Sequence, residues 1–296
     1  MAITKRIARV FPRRTKYTPD GNLVYISPPG LFDGDFDSVL VSCLFTWDKT
    51  RAERLAEKWS KVCSDTKLGG PAYDDPGGEF TPEKFNRKGF IHTSRGCIRK
   101  CSFCFVPKRE GALRELTIHE GPWIMDNNLL ACSEKHVTSV FDMLDTQRDV
   151  KFLGGLDARI LKDYQIDRLV KLGTRLKYFY FAYDNLRDQE AVSSAIDRCY
   201  KAGLEQKHMG CYVLVGYEED TPEQADKRCE WVFVQGGQPF AMFYRDDKNK
   251  GKRKSAEWQK VVKKWTWQSE IFRHIKADGL KYHKKLIRGK LAESTK

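Results

Sequence analysis

The amino-acid sequence predicts an α/β fold built on parallel strands, and two patterns carry that reading. Between Lys88 and Tyr244, short apolar runs alternate six times with stretches that suit helices. Repeated β–α alternation puts parallel strands side by side with helices outside them. A smaller strand–helix–strand unit precedes this region, between Ser38 and Tyr73. A basic, aromatic-rich extension follows it. The chain therefore reads as three segments, residues 1–87, 88–244 and 245–296.

In the first segment, Ser38–Trp47 is apolar, β-branched and short, as a buried strand should be. Asp48 then N-caps a helix over Lys49–Val62, with Ala52, Leu55, Ala56 and Trp59 on its apolar face. A second short strand runs into the glycine turn Leu-Gly-Gly-Pro-Ala-Tyr at Leu68–Tyr73. Asp74–Arg87, rich in proline, glycine and acids, reads as a link. In the second segment the expected strands are Gly89–Thr93, Pro122–Met125, Val150–Leu153, Leu176–Tyr183, Met209–Val215 and Pro239–Tyr244. Helices are expected over Ser133–Leu144, Asp163–Leu172 and Gln189–Ala202, the last ending at Gly203. Thr-Pro-Glu at Thr221–Glu223 marks one more helix start, with proline at its first position.

The 296 residues are 41% hydrophobic, enough for a sizeable core. No apolar run reaches transmembrane length and Met1–Asp20 lacks a secretory pattern, so a soluble, cytoplasmic protein away from membranes is expected. Nine cysteines, an odd and unevenly spaced set, argue against a disulfide framework. The net charge is +13, and residues 245–296 hold most of it, with seventeen Lys and Arg against six Asp and Glu. Trp258, Trp265, Trp267, Phe272 and Tyr282 are threaded through that segment. Cations beside aromatic rings suit a polyanion with stackable bases. The near-helical spacing of Trp258, Val261, Trp265 and Ile271 suits equally a face that docks on the rest of the protein.

Three cysteines stand apart from the others. Cys97, Cys101 and Cys104 fall within Arg-Gly-Cys-Ile-Arg-Lys-Cys-Ser-Phe-Cys-Phe-Val-Pro, at C-x3-C-x2-C spacing. Thiolates hold iron–sulfur clusters, and a cubane normally takes four. Three leave one iron open to a further ligand. A structural zinc site completed by His92 is the competing reading, although zinc ligands usually come in two pairs and the next cysteine, Cys132, stands alone.

This loop resembles that of the radical S-adenosylmethionine (SAM) superfamily, and Phe103 takes the aromatic place before the third cysteine. The resemblance implies a partial (β/α)6 barrel and a [4Fe–4S] cluster whose open iron is chelated by SAM. One electron from the reduced cluster then cleaves SAM, and the resulting 5′-deoxyadenosyl radical takes a hydrogen from substrate. It also implies a one-electron reductant such as flavodoxin or ferredoxin. The βαβ unit is similar to a truncated form of the Rossmann-like domain attached to many cobalamin-binding members. The D-x-H-x-x-G signature is missing, with no histidine before His92, so cobalamin is not expected.

Functional residues of such barrels gather where strands end. At the second strand, Asp126, Asn127 and Asn128 take the place of the family's Gly-Gly-Glu, which receives the SAM amino group. At the third, Arg159 is expected on the SAM carboxylate, with Asp157 orienting it or facing substrate. Asp184 ends the fourth strand, where the family often contacts the ribose. Leu214, Gly216 and Glu219 match part of the adenine-flanking G-x-I-x-G-x-x-E pattern, with Tyr212 replacing its first glycine. The bland alternatives are an Asx turn at 126–128 and a surface ion pair at Arg159.

The loop Arg-Gly-Cys…Val-Pro-Lys-Arg-Glu-Gly is also similar to that of tRNA methylthiotransferases. Their three additional cluster cysteines and C-terminal barrel have no counterpart here. The chain looks closer to radical SAM oxidoreductases with a shortened cobalamin-type domain. A nucleic acid or nucleotide-derived substrate is expected. The alternatives are the same chemistry on a small metabolite or peptide, and a zinc-stabilised nucleic-acid-binding protein.

Overall fold

The computed structural model describes residues 5–75, 77–245, 255–266 and 271. The chain divides into two compact units, Met1–Gln147 and Arg148–Lys296. Both are α/β, with sheets of parallel strands.

The first unit opens with β1 (Ile7–Val10), β2 (Val24–Tyr25), β3 (Ser38–Ser42), α1 (Lys49–Ser60) and β4 (Thr66–Gly69). Their sheet has the order β2-β1-β3-β4, parallel throughout. Alternation along β1 and β3 turns Ala8, Val10, Val39 and Val41 inward, where Ala52, Leu55 and Trp59 of α1 meet them. Trp59 is fully buried, and its indole N–H donates to the Ser27 carbonyl at 3.0 Å.

Two expectations change here. The expected strand stops at Ser42, because the chain turns at Cys43 into a short 3-10 turn over Thr46–Asp48. Asp48 does precede the helix, but its carboxylate makes no cap and pairs with Arg13. A further strand, β1, lies in the centre of the sheet. Its two apolar inward positions were hidden among flanking arginines and lysine.

The same unit continues with β5 (Phe90–Ile91), β6 (Ser94–Arg95), α2 (Val106–Arg109), β7 (Arg114–Glu115), β8 (Trp123–Ile124) and α3 (Glu134–Leu144). β5 and β8 pair in parallel, while β6 and β7 form a short antiparallel clamp. Ser133 caps α3 by accepting from the His136 N–H, and the helix buries Val137, Val140, Phe141 and Leu144.

The second unit is more regular: β9 (Val150–Leu156), α4 (Asp163–Leu172), β10 (Leu176–Tyr183), α5 (Gln189–Lys201), β11 (Met209–Val215), α6 (Pro222–Val234), β12 (Gln238–Phe243) and α7 (Ala256–Thr266). The four strands lie in sequence order, all parallel. One face of this sheet is fully buried and carries Phe152, Phe179, Phe181, Tyr183, Val213 and Ala241. The other is half-buried and aromatic: Tyr180 and Tyr212 stack at 4.1 Å, with Phe240 edge-on to both. Thr221 and Gln224 form a capping box at the start of α6. Among the described residues, no helix is long and apolar enough to cross a membrane.

Part of the basic extension is a docked helix. Trp258, Val261 and Trp265 of α7 are buried, as is Ile271. Trp258 meets Phe243 edge-on at 5.2 Å, and the Trp265 indole N–H donates to Asp226, which also pairs with Lys264 at 3.0 Å. Lys252, Arg253, Lys254, Trp267, Phe272 and Tyr282 lie outside the described residues. Removal of a fully buried tryptophan typically costs about 3–5 kcal/mol. Trp265→Ala should therefore lower the melting temperature clearly. An unchanged melting curve would mean that α7 is not part of the folded core.

Candidate functional site

The cysteine loop is closed at its neck. Ser94 pairs with Glu115 and Arg95 with Arg114, so β6 and β7 bring both ends of the loop together. Gly96 sits at φ +78°, where a Cβ would collide with the Ala112 carbonyl, so only glycine fits. Cys97, Cys101 and Cys104 are all partly exposed, whereas Cys43, Cys63, Cys199, Cys211 and Cys229 are buried. The Cys97 sulfur accepts from the Arg99 backbone N–H at 3.3 Å and from Asn128 Nδ2 at 3.6 Å. A turn joins the other two, with the Cys104 N–H on the Cys101 carbonyl at 3.0 Å. Phe103 is half-buried within that turn.

Among the described residues, no three His, Cys, Asp or Glu side chains are gathered as ligands of a single metal ion. A cubane makes a different demand, because each thiolate binds its own iron and the cluster itself separates the sulfurs. Cys132 is a poor thiolate, since burial pushes its thiol up to about 12. Burial, aided by the Arg95 charge, pulls His92 down to about 3. His92 packs edge-on against Phe80, with its Nδ1 buried and unpartnered.

Asp126 has an internal task. Its Oδ1 accepts the Thr93 N–H at 2.7 Å, and its Oδ2 accepts the Thr93 and Ser94 hydroxyls at 2.5 and 2.8 Å. It is 2% exposed, and burial raises its pKa while these bonds pull the other way. Strand alternation explains why this carboxylate is turned inward. Ile124 and Asp126 share the buried side of the chain leaving β8, while Trp123, Met125 and Asn127 share the half-buried side. Asn127 donates to Glu110 at 2.6 Å, and Glu110 pairs with Arg95 at 3.5 Å. Asn128 is buried like Asp126 and reaches the cysteine loop through Cys97.

In the second unit, the residues expected at strand ends do gather there. Asp157 grips Arg159 in a fork, at 2.7 Å to Nε and 3.2 Å to Nη2, and Nη1 of Arg159 reaches Asp188 at 3.1 Å. Asp184 follows β10, and burial pushes its carboxyl up to about 6; the Leu214 N–H, Arg159 and Arg228 oppose that shift, while Asp188 adds to it. Gly216 sits at φ +77° with Phe243 filling the space a side chain would need. Its N–H donates to Asp220 at 2.7 Å, and Asp220 is held by both terminal nitrogens of Arg228. Glu219, which matches the sequence pattern, is exposed, and Asp220 takes the inward place. Asp188, Asp220 and Arg228 were not expected. Arg228 stands eight residues beyond Asp220 on α6, and no motif links them before the chain folds.

The raised pKa of Asp184 has a definite sign in stability. Unfolded, the group loses its proton near 3.9; folded, it keeps the proton to about 6. Between those values the folded state binds more protons, so this group lowers stability as pH rises from about 4 to about 6. Asp184→Asn should remove that decline, each unit of difference being worth about 1.4 kcal/mol. Urea midpoints of parent and variant across this range test it, and parallel pH profiles would contradict it. Set against models of known protein families and against curated proteins, the chain matches none.

Proposed function

We propose that the chain is a radical SAM enzyme with one [4Fe–4S] cluster on Cys97, Cys101 and Cys104. The observation that carries this reading is the clamped loop: three partly exposed thiols at C-x3-C-x2-C spacing, with two N–H donors already aimed at Cys97. Hydrogen bonds to cluster sulfurs tune such centres. When bound, the cluster supplies the electron that cleaves SAM to methionine and a 5′-deoxyadenosyl fragment able to take hydrogen from substrate.

The chain's own residues have distinct parts in this reading. Asp126 holds Thr93 and Ser94 at the base of the loop. Asp157 fixes the guanidinium of Arg159, which offers its remaining surface to the SAM carboxylate. Asp184, largely ionised at neutral pH, accepts from ribose hydroxyls. Leu214 and Gly216 border the adenine. The partial (β/α)6 barrel is the arrangement this chemistry calls for, and the parallel sheets and strand-end carboxylates support it. The charge of +13, concentrated in residues 245–296, supports a nucleic acid or nucleotide-derived substrate.

The test begins with anaerobic purification and reconstitution. The parent should carry iron and sulfide and, with dithionite, release 5′-deoxyadenosine from SAM. Replacement of all three cysteines by alanine should abolish cluster and product together. Arg159→Ala should keep its iron but bind SAM about ten- to hundredfold more weakly, as expected when a charge-assisted hydrogen bond is removed. A cysteine-free variant that retains a full cluster, or a colourless parent loaded with zinc, would refute the proposal in favour of a zinc-stabilised binder.

A further inference from the structure

In the first unit, residues 13–17 and 84–88 lie together. The Arg87 N–H donates to the Tyr17 carbonyl at 2.8 Å. Asp20 bridges the two stretches, at 2.8 Å from Arg87 and 3.6 Å from Arg14. Arg9 ties the second stretch down by donating to the Glu83 carbonyl at 2.5 Å. The result is a fixed cationic surface of Arg13, Arg14, Lys16, Lys84, Arg87 and Lys88. All six are exposed, and the side chains of Arg13, Arg14 and Arg87 are each more than half accessible. The acids among them are Asp20 and Glu83; Asp48, buried beneath Arg13, adds a third, so cations dominate.

Rings interleave with these charges. Phe85 is 38% exposed, with the Lys84 ammonium 5.4 Å from its centre. The Lys16 ammonium lies 4.9 Å from the Tyr17 ring. Beyond Arg13, whose partner Asp48 adjoins it in sequence, Trp47 is 43% exposed and stacks on Phe45 at 4.6 Å. Cations repeated between exposed rings suit phosphates and unpaired bases together.

We infer that this surface binds single-stranded nucleic acid, with Arg14, Arg87 and Lys88 on phosphates and Phe85 under a base. It deepens the proposed substrate class but stands on the geometry of the first unit alone. An anionic membrane is the less suitable partner. The most exposed apolar side chains, Leu31 and Phe32, stand next to Asp33, Asp35 and Asp37, whose charge an anionic membrane repels.

The test is fluorescence anisotropy of the full chain with a mixed-sequence single-stranded RNA 15-mer at two salt concentrations. SAM and reductant are left out. The variant carrying Arg14→Ala, Arg87→Ala and Lys88→Ala should bind at least tenfold more weakly at low salt. Its salt slope should flatten by about 0.7 for each phosphate that is no longer neutralised. Phe85→Ala should bind about five- to hundredfold more weakly with an unchanged slope. Melting curves accompany each variant, and Lys84→Glu, on an exposed side chain, gives the same reading if the triple variant melts early. Parental affinity in these variants would overturn the inference. So would loss of binding on Lys252→Ala, Arg253→Ala and Lys254→Ala alone, or variants that lose binding to phosphatidylserine vesicles while keeping RNA. Release of 5′-deoxyadenosine is measured separately, so its absence would count against the enzyme reading and leave this surface standing.

Discussion

The carboxylate of Asp126 is the constraint on which the first unit's candidate site depends. A buried carboxylate is costly unless hydrogen bonds compensate it, and three donors from Thr93 and Ser94 offset part of that cost. That exchange fixes the end of β5 to the end of β8 and determines where β6 begins. From there the register of β6 on β7 and the glycine at 96 dictate how the cysteine loop leaves the sheet. The proposed cluster would need such a base, because a loop alone does not hold three sulfurs in a lasting arrangement.

The second unit applies the same economy at other strand ends. Two charged residues there have partners that set their direction: Asp157 and Asp188 for Arg159, Arg228 for Asp220. Paired guanidiniums and carboxylates pre-oriented in this way lose little freedom when a ligand arrives. The sheet beneath them is two-faced. Helices suit its fully apolar side, while the stacked tyrosines on the opposite side leave a surface that is neither core nor ordinary exterior.

Much of this was legible before folding where periodicity was strong. The strands at Leu176–Tyr183 and Met209–Val215 and the helix at Asp163–Leu172 coincide with the expected bounds, because each is long, periodic and clearly punctuated. β1 was not legible, since four residues with two small or β-branched inward positions, set among cations, look like a solvated terminus. The candidate site was legible only as positions on the chain. Spacing alone singled out the cysteines, and strand ends pointed to Asp157, Arg159, Asp184 and Gly216. Spacing does not say which side of a strand a residue takes, so Asp126 was expected to face a ligand and turns inward. For the same reason spacing did not show that Glu219 is exposed while its neighbour Asp220 turns toward Gly216 and Arg228, the latter supplied by the next helix.

The most direct test is low-temperature electron paramagnetic resonance of the anaerobically purified, dithionite-reduced chain, recorded with and without SAM. The expected result is the signal of a reduced [4Fe–4S] cluster whose shape changes when SAM is added, because the open iron gains a ligand. A reduced sample with no iron–sulfur signal, no acid-labile sulfide and stoichiometric zinc would contradict it.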